Sequence, residues 1–387
     1  MSTTYLSNIK NPRKRPRFRR NPNLTPELES EMATAEEINN DSLPNLPIDL
    51  VAEIFCRLPV KLLVQLRCMC KSWNSLISDR SFTRKHLSLS TTHRLHYAKY
   101  RNKQYLIHNS YPLESVLSTK VKQRRLSFNS IAGSCDGILC LYDKPKGCVV
   151  LWNPSIRKFK ELPPFQNCEI LKTVYIYMTV GFGYDHVSDN YKAVVLYYSE
   201  TNFFDTTKVK FHTLGTDFWK TGDSFSFGAV FDEQSGTLVR DTINWMAYTE
   251  WPRKGPVFIV SFDLGNDSYQ KLLPPDHAEI STNYLRLSVL RDCLCLVSGH
   301  HIWVMKEYGI QDSWTKLFSF SCIQDPTKDY SLSNALYIFE DGQLLLEILD
   351  DWKTKWIVYD PKNDTFKVTV FKNILKLCLE TLISPCS

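Results

Sequence analysis

The stretch LPNLPIDLVAEIFCRLPVKLLVQLRCMCKSWNSLISD spans residues 43–79 and is apolar at helical spacing. Pro47 suits the first turn of a helix, where a missing N–H costs nothing, and Pro59 ends that helix. Between them, apolar side chains recur every four residues: Leu50, Ile54 and Leu58. The pattern predicts three short helices, one before Pro59, one after it, and a third over about residues 70–78.

Three helices of this length make a very small unit, and a unit below ~40 residues rarely folds unaided. Their apolar surface exceeds what they can hide from water among themselves. Exposed apolar patches of this kind mark interfaces. We therefore expect the stretch to dock onto a partner and not merely to cap the rest of the chain.

The spacing LPxDLxxEIxxRLPVKxLxxxRxxxKSWxxLIxDxxF, carried by residues 46–82, closely resembles the F-box. An F-box implies binding to the Skp-type adaptor of a ubiquitin ligase and, through it, to a cullin and a RING protein. The resemblance implies an adaptor-binding set: Leu46, Pro47, Leu50, Ile54, Leu58, Pro59, Leu63 and Trp73. It does not separate the residues that face the adaptor from those that hold the helices together.

The remainder of the chain repeats two short patterns. The first is a turn followed by an alternating apolar strand, at residues 134–143, 239–248, 290–299 and 339–348. The second is a strand, a polar turn and a closing aromatic: Phe159, Trp219, Tyr269, Trp314 and Phe366. A repeat of ~45–50 residues with about four short strands is typical of a propeller blade. The pattern predicts at least five blades and favours six to eight.

Two kinds of residue are expected to shape each blade. Asp-Gly and Arg-Asp pairs supply the tight turns between strands. The closing aromatics are expected to wedge between adjacent blades and to serve the structure instead of a ligand.

The body also resembles the F-box-associated domain, a kelch-like β-propeller found in plant F-box proteins. The motifs that carry the resemblance lie between residues 133 and 320: GSCDGILCL, LWNPSIRKFKELP, GFGYDHVSDNYKAV, SFDLGNDSYQKL, LRDCLCLV and IWVMKEYGIQDSWTKLF. The chain is similar to the immune-regulator and S-locus F-box proteins, whose bodies recruit target proteins. The implied fold is a multidomain α+β chain with a charged tail over 1–42, an F-box over 43–87 and a propeller over 95–380.

The amino-terminal tail carries a dense basic run between residues 10 and 20, which reads KNPRKRPRFRR. Such a run is the usual form of a nuclear-import signal: Arg13, Lys14, Arg15, Arg17, Arg19 and Arg20. We therefore expect the protein in the nucleus and the cytoplasm. An acidic run follows within residues 27–41 and offsets the charge, so we expect no nucleic-acid partner.

Other classes of site find little support in the sequence. No apolar run approaches the ~18 residues of a membrane span. The pairs Cys68/Cys70 and Cys293/Cys295 lie in apolar surroundings and are expected to be buried thiols, without a metal. GFGYD at 181–185 lacks a third glycine, and no GxSxG is present. We therefore expect no catalytic residue and no cofactor.

These patterns predict a non-catalytic substrate receptor of a Skp–cullin–F-box ubiquitin ligase, with an unidentified protein as its target. Two alternatives remain open. The F-box could serve a ligase-independent complex, or the propeller could bind a glycan or another small molecule.

Overall fold

The computed structural model describes most of the chain after the basic tail. The described residues are 46–101, 105–113, 124–126, 130–143, 147–165, 176–199, 207–223, 230–231, 234–250, 254–275, 285–320, 330–350, 353–369 and 375–386. The basic run expected to direct nuclear import lies outside them. By compactness the chain divides into two units, Met1–Val51 and Ala52–Ser387.

Four helices open the described part of the chain: α1 (Ile48–Phe55), α2 (Val60–Leu66), α3 (Lys71–Ser78) and α4 (Arg80–Leu89). The sequence predicted the first three and missed α4. This helix begins after Asp79, whose side chain accepts a hydrogen bond from the Phe82 amide at 3.0 Å. An aspartate in this position satisfies an amide that has no partner inside the helix.

The described strands that follow form six antiparallel sheets. Sheet 1 contains β1 (His93–Arg101), β2 (Tyr105–Pro112), β3 (Arg124–Leu126) and β25 (Leu375–Leu379). Sheet 2 contains β4 (Ser130–Cys135), β5 (Ile138–Asp143), β6 (Cys148–Asn153) and β7 (Lys158–Glu161). Sheet 3 contains β8 (Ile176–Asp185), β9 (Asn190–Ser199), β10 (Lys208–Thr213) and β11 (Lys220–Thr221). Sheet 4 contains β12 (Val230–Phe231), β13 (Thr237–Val239), β14 (Thr242–Glu250), β15 (Lys254–Asp263) and β16 (Ser268–Leu272). Sheet 5 contains β17 (Leu285–Leu290), β18 (Cys293–Ser298), β19 (His301–Met305) and β20 (Trp314–Ser319). Sheet 6 contains β21 (Tyr330–Ile338), β22 (Leu344–Asp350), β23 (Lys353–Asp360) and β24 (Thr365–Val368). The succession of helices and an all-β body confirms the predicted α+β class.

The core lies between the sheets, because each sheet is apolar on both faces. On β18, Leu294 and Leu296 pack toward sheet 4, whereas Cys295 and Val297 pack toward sheet 6. Alternate residues of a strand point to opposite faces. A strand with a continuous apolar run therefore contributes side chains to the interfaces with both neighbouring sheets. Apolar clusters join each sheet to the next, and a further cluster joins sheet 6 to sheet 1.

The predicted tight turns are present. Asp136 and Gly137, between β4 and β5, have φ angles of 49° and 78°. Arg291 and Asp292, between β17 and β18, have φ angles of 49° and 58°. Two successive residues with positive φ form the hairpin turn that matches the twist of the strands.

Both ends of the body meet in sheet 1. The last strand, β25, pairs with β1 in antiparallel register, with Leu377 opposite Leu95. After β25 the chain crosses to sheet 2, where the buried amide of Asn153 donates to the backbone oxygens of Thr381 and Ile383 at 3.1 and 2.8 Å. The carboxyl-terminal segment is therefore an integral part of the body.

The closing aromatics behave as predicted with one exception. Trp314 is buried between sheets 4 and 5, and Trp219, Tyr269 and Phe366 pack against the neighbouring clusters. The prediction is wrong for Phe159, whose side chain is 54% exposed. Phe159 lies on β7, the outermost strand of sheet 2, where all four residues are at least partly exposed.

The cysteine prediction needs a similar correction. Cys295 is buried and Cys293 partly so, as expected on one face of a strand. Cys68 and Cys70 are instead exposed, because they lie in the short connection between α2 and α3. There the Cys70 sulfur accepts a hydrogen bond from the Trp73 amide at 3.5 Å and caps α3.

Candidate functional site

The first unit carries exposed apolar side chains where the F-box begins. Leu46, Ile48 and Leu50 are each about half exposed, with 49–52% of their surface open to solvent. Pro47 is exposed as well, and its carbonyl accepts hydrogen bonds from the Leu50 and Val51 amides at 3.0 and 3.2 Å, which starts α1. Large aliphatic side chains exposed in a group are typical of an interaction surface.

The helices of the second unit expose apolar side chains too. Ile54, on the last turns of α1, is 51% exposed, and Leu62 on α2 is 39% exposed. Met69, just after α2, is 71% exposed. Pro59 is also exposed, whereas Leu58 is partly buried.

A different group of apolar side chains holds the helices together. Leu63 of α2 and Ile77 of α3 are completely buried. Trp73 meets Phe55 edge to face, with the ring centroids 5.1 Å apart. The structure thus divides the set that the sequence left undivided, since Leu63 and Trp73 pack inward while most of the others are exposed.

The face of α4 that carries Phe82, Lys85 and His86 packs against the other helices. The carboxylate of Glu53 in α1 pairs with the amine of Lys85, whose hydrogen bond holds the Glu53 pKa below its ordinary value. The ring of His86 bonds the backbone oxygen of Leu58 at 3.0 Å through its Nε2 atom. Phe82 is buried beside His86.

The opposite face of α4 is fixed to sheets 2 and 3. Arg84 pairs with Asp136 at 3.2 Å, and its guanidinium lies 3.8 Å from the centre of the Tyr184 ring. One turn earlier, Arg80 pairs with Asp189 at 2.7 Å. Helix α4 therefore connects the short F-box helices to the β body through contacts on both of its faces.

The chain that leaves α4 is held against the last strand of the body. The Glu380 amide donates to the Thr92 oxygen at 3.0 Å, and Ser90 donates through its hydroxyl to the Glu380 oxygen at 3.0 Å. Arg94 pairs with the Glu380 carboxylate at 3.0 Å. These bonds connect the segment after α4 to the chain that ends sheet 1.

Residues of several sheets line a cavity of about 450 Å³. Its lining is mixed, with aliphatic side chains beside polar and charged ones: His93, Ser134, Thr237, Ser288, Arg291, Asp292, Asn334, Tyr337 and Lys376. Burial, reinforced by the nearby charge of Arg286, lowers the pKa of Lys376 to about 8. This is the region where a small ligand of the body would be sought.

Within the described ranges, no three side chains of histidine, cysteine, aspartate or glutamate are grouped as a metal site requires. Likewise, no helix in the described part of the chain is long and apolar enough to span a membrane.

Comparison with known proteins identifies both parts of the chain. Residues 43–85 match the F-box domain, and residues 88–377 match the F-box associated beta propeller domain. An F-box/kelch-repeat protein of Arabidopsis thaliana is 28% identical, with 88% of this chain and 96% of that protein aligned. The F-box protein CPR1 of Arabidopsis thaliana is also 28% identical, over 83% of both chains. The chain therefore belongs to the plant F-box proteins that carry an F-box associated beta propeller domain.

Proposed function

We propose that this protein is the substrate-recognition subunit of a Skp–cullin–F-box ubiquitin ligase. The observation that carries the proposal is the set of exposed aliphatic side chains at the start of the F-box and on its helices: Leu46, Ile48, Leu50, Ile54 and Leu62. Burying a fully exposed aliphatic side chain contributes ~1.5–3 kcal/mol. These side chains are about half exposed, so each can still contribute roughly half of that, and several together supply a stable contact with an apolar groove. The F-box match supports a Skp-type adaptor as the partner of that contact.

In this role the protein needs no catalytic residue of its own. The F-box binds the adaptor, which joins the chain to a cullin and a RING protein. The propeller binds the target protein and holds it near the charged conjugating enzyme. The rate of ubiquitin transfer then rises through the effective concentration of the target lysines.

We infer further that the body is a closed ring of six blades. What supports this count is the set of six sheets among the described strands and the pairing of β25 with β1. A crystal structure of the adaptor-bound chain checks the number, and five or seven blades would contradict it.

The docking proposal is tested by replacing each of two equally exposed isoleucines with aspartate. Ile54 on α1 and Ile310 in the connection after β19 are both 51% exposed. Ile54→Asp is expected to weaken adaptor binding by about tenfold or more, because it places a charge in an apolar contact. Ile310→Asp is expected to bind like the wild type. Affinity is measured by titration calorimetry with purified adaptor, after thermal melting has shown that both variants fold.

Equal adaptor affinity for the wild type and Ile54→Asp would refute docking through this surface. A reconstituted ubiquitylation assay with adaptor, cullin and RING protein then addresses the ligase role. Ubiquitin transfer to the chain or to a co-purified protein that is lost with Ile54→Asp supports a ligase. Adaptor binding without any transfer would favour the ligase-independent complex.

We also propose that the basic run directs the protein to the nucleus. The supporting observation is the density of cations between Arg13 and Arg20. Deleting residues 1–42 is expected to reduce the nuclear fraction of a fluorescent fusion and to leave adaptor binding intact. An unchanged distribution would remove this proposal.

A further inference from the structure

A basic pocket lies beside α4, at the junction of the helices with the β body. Its volume is about 190 Å³, more than ten times the ~10–15 Å³ that a water molecule needs. The walls come from the ends of α2 and α3, from α4, from strands and turns of sheets 2 and 3, and from the carboxyl-terminal segment after β25. Four cationic side chains line it: Arg67, Arg80, Arg84 and Lys158.

Only two of these cations are paired with a carboxylate. Arg80 pairs with Asp189 and Arg84 with Asp136, as described above. Within the described ranges, neither Arg67 nor Lys158 forms an ion pair. The pocket therefore combines four positive charges with two negative ones and attracts anions.

Arg67 is partly buried and has fewer acceptors than donors. One of its terminal nitrogens donates to the Ile77 oxygen at 3.0 Å, while its Nε atom is buried and has no acceptor among the described residues. Burial lowers the pKa of Arg67, because removing its positive charge from water costs free energy. An anion in the pocket would offset that cost.

We propose that this pocket binds a small ligand through its phosphate group. A guanidinium presents a fork of donors that matches the oxygens of phosphate, and charge-assisted bonds of this kind are the stronger ones. Arg80 and Arg84 are held by their carboxylates and shape the wall, while Arg67 and Lys158 supply the unneutralised charge. The pocket has room for more than one phosphate group.

Because of where the pocket lies, such a ligand would also connect two parts of the chain. Arg67 belongs to the end of α2, whereas Lys158 belongs to β7 of sheet 2. A ligand that contacts both joins the F-box helices to the propeller, and so stabilises the junction through which target and adaptor are connected. This effect is separate from adaptor binding, which uses the exposed aliphatic side chains.

The test uses the full chain with inorganic phosphate, pyrophosphate and glycerol 3-phosphate as probes. Titration calorimetry at constant ionic strength is expected to detect saturable binding of at least one probe. Lys158→Gln is expected to weaken that binding about tenfold, the effect of losing one charge-assisted bond. Lys160→Gln is the matched control, since Lys160 lies two residues along the same strand and does not line the pocket.

The outcomes are distinct. Tighter binding of pyrophosphate points to an inorganic ligand, and tighter binding of glycerol 3-phosphate points to a phosphate ester; both support the proposal. In either case, hydrogen exchange of Arg80–Leu89 should slow when the probe is present. No binding of any probe, or equal losses in Lys158→Gln and Lys160→Gln, would overturn it.

Discussion

Arg84 of α4 donates a hydrogen bond to the carboxylate of Asp136 at 3.2 Å, across the junction between the helices and sheet 2. Both side chains are about one quarter exposed, at 27% and 24%. The same carboxylate accepts a bond from the Tyr191 hydroxyl of sheet 3 at 2.8 Å. The Asp136 carboxylate therefore joins its own turn in sheet 2 to α4 and to sheet 3. Burial raises the pKa of Tyr191, whose hydroxyl is the donor in this bond.

We predict that Arg84→Met destabilises the junction by about 1–2 kcal/mol, because it leaves the partly buried Asp136 without its cation. The substitution also removes the guanidinium from the Tyr184 ring. Hydrogen exchange of Arg80–Leu89 should become faster, and the free energy of unfolding in urea should fall. Adaptor affinity should stay unchanged, since Arg84 lies on the opposite face of α4 from the F-box helices.

Lys85→Met is the control for that prediction. Lys85 is the next residue of α4 and pairs with Glu53 in an exposed position. Exposed ion pairs contribute little to stability, so this variant should unfold like the wild type. Equal destabilisation by the two substitutions would show that the Arg84 contact has no special part in the junction.

Much of this fold could be predicted from local sequence patterns. Pro47 precedes α1 and Pro59 precedes α2, and the Asp136-Gly137 and Arg291-Asp292 pairs give the hairpins their sharp turns. These features depend on residues close together in the chain. The same patterns also predicted the order of the helices and the β body. They predicted the family as well.

The contacts that position α4 could not be predicted in this way. Arg84 and Asp136 are separated by 52 positions, and Arg80 and Asp189 by 109. No local pattern pairs residues so far apart. Asp79 followed by the helical spacing of Phe82 and His86 is the local signal for α4, and it lies where the F-box pattern ends, at Phe82. Likewise, only packing could reveal that Leu63 is buried while Ile54 is exposed.

Asn153 provides a test of how the carboxyl-terminal segment is anchored. Its buried amide donates to the oxygens of Thr381 and Ile383, and its side-chain oxygen accepts from the Ser155 amide at 2.8 Å. We predict that Asn153→Ala lowers the free energy of unfolding by about 2–3 kcal/mol, because buried backbone groups lose their partners. Urea denaturation followed by tryptophan fluorescence measures the change.

Asp360 occupies the matching turn of sheet 6, where its carboxylate accepts from the Lys362 amide at 2.9 Å. Among the described residues, the Asp360 carboxylate bonds only within its own turn, to Lys362 and Asn363, so Asp360→Ala should cost much less than Asn153→Ala. A loss as large in Asp360→Ala would mean that the turn, and not the anchored segment, explains the effect.

Gly137 is predicted to tolerate no side chain. Its φ is +78°, and an added Cβ would lie 2.8 Å from the Leu379 backbone oxygen and collide with the Thr381 hydroxyl. We expect Gly137→Ala to destabilise the protein by about 2–4 kcal/mol, through backbone strain and overpacking. Gly133→Ala is the control, since an added Cβ there meets nothing within 4 Å. It should change the stability by less than about 1 kcal/mol, and an equal loss in both variants would contradict the argument.

Lys376 lies on β25 and lines the cavity of about 450 Å³ described above. Burial and the charge of Arg286 lower its folded-state pKa to about 8, from 10.5 for a free lysine, while Glu347 acts in the opposite direction. Below pH 8 the amine is charged in both states, and its burial opposes folding in full. Between about pH 8 and 10.5 the unfolded chain binds more protons than the folded one, so the stability contributed by this group rises with pH.

We therefore predict that Lys376→Met is more stable than the wild type at pH 7.5, and that this advantage shrinks as the pH is raised toward 10. Methionine keeps the length of the side chain and removes the charge, while every other titrating group is common to both proteins. The measurement is urea denaturation of the two proteins at several pH values. A difference in the free energy of unfolding that stays constant with pH would show that Lys376 titrates like an ordinary exposed lysine. The cavity would then not hold its amine away from water.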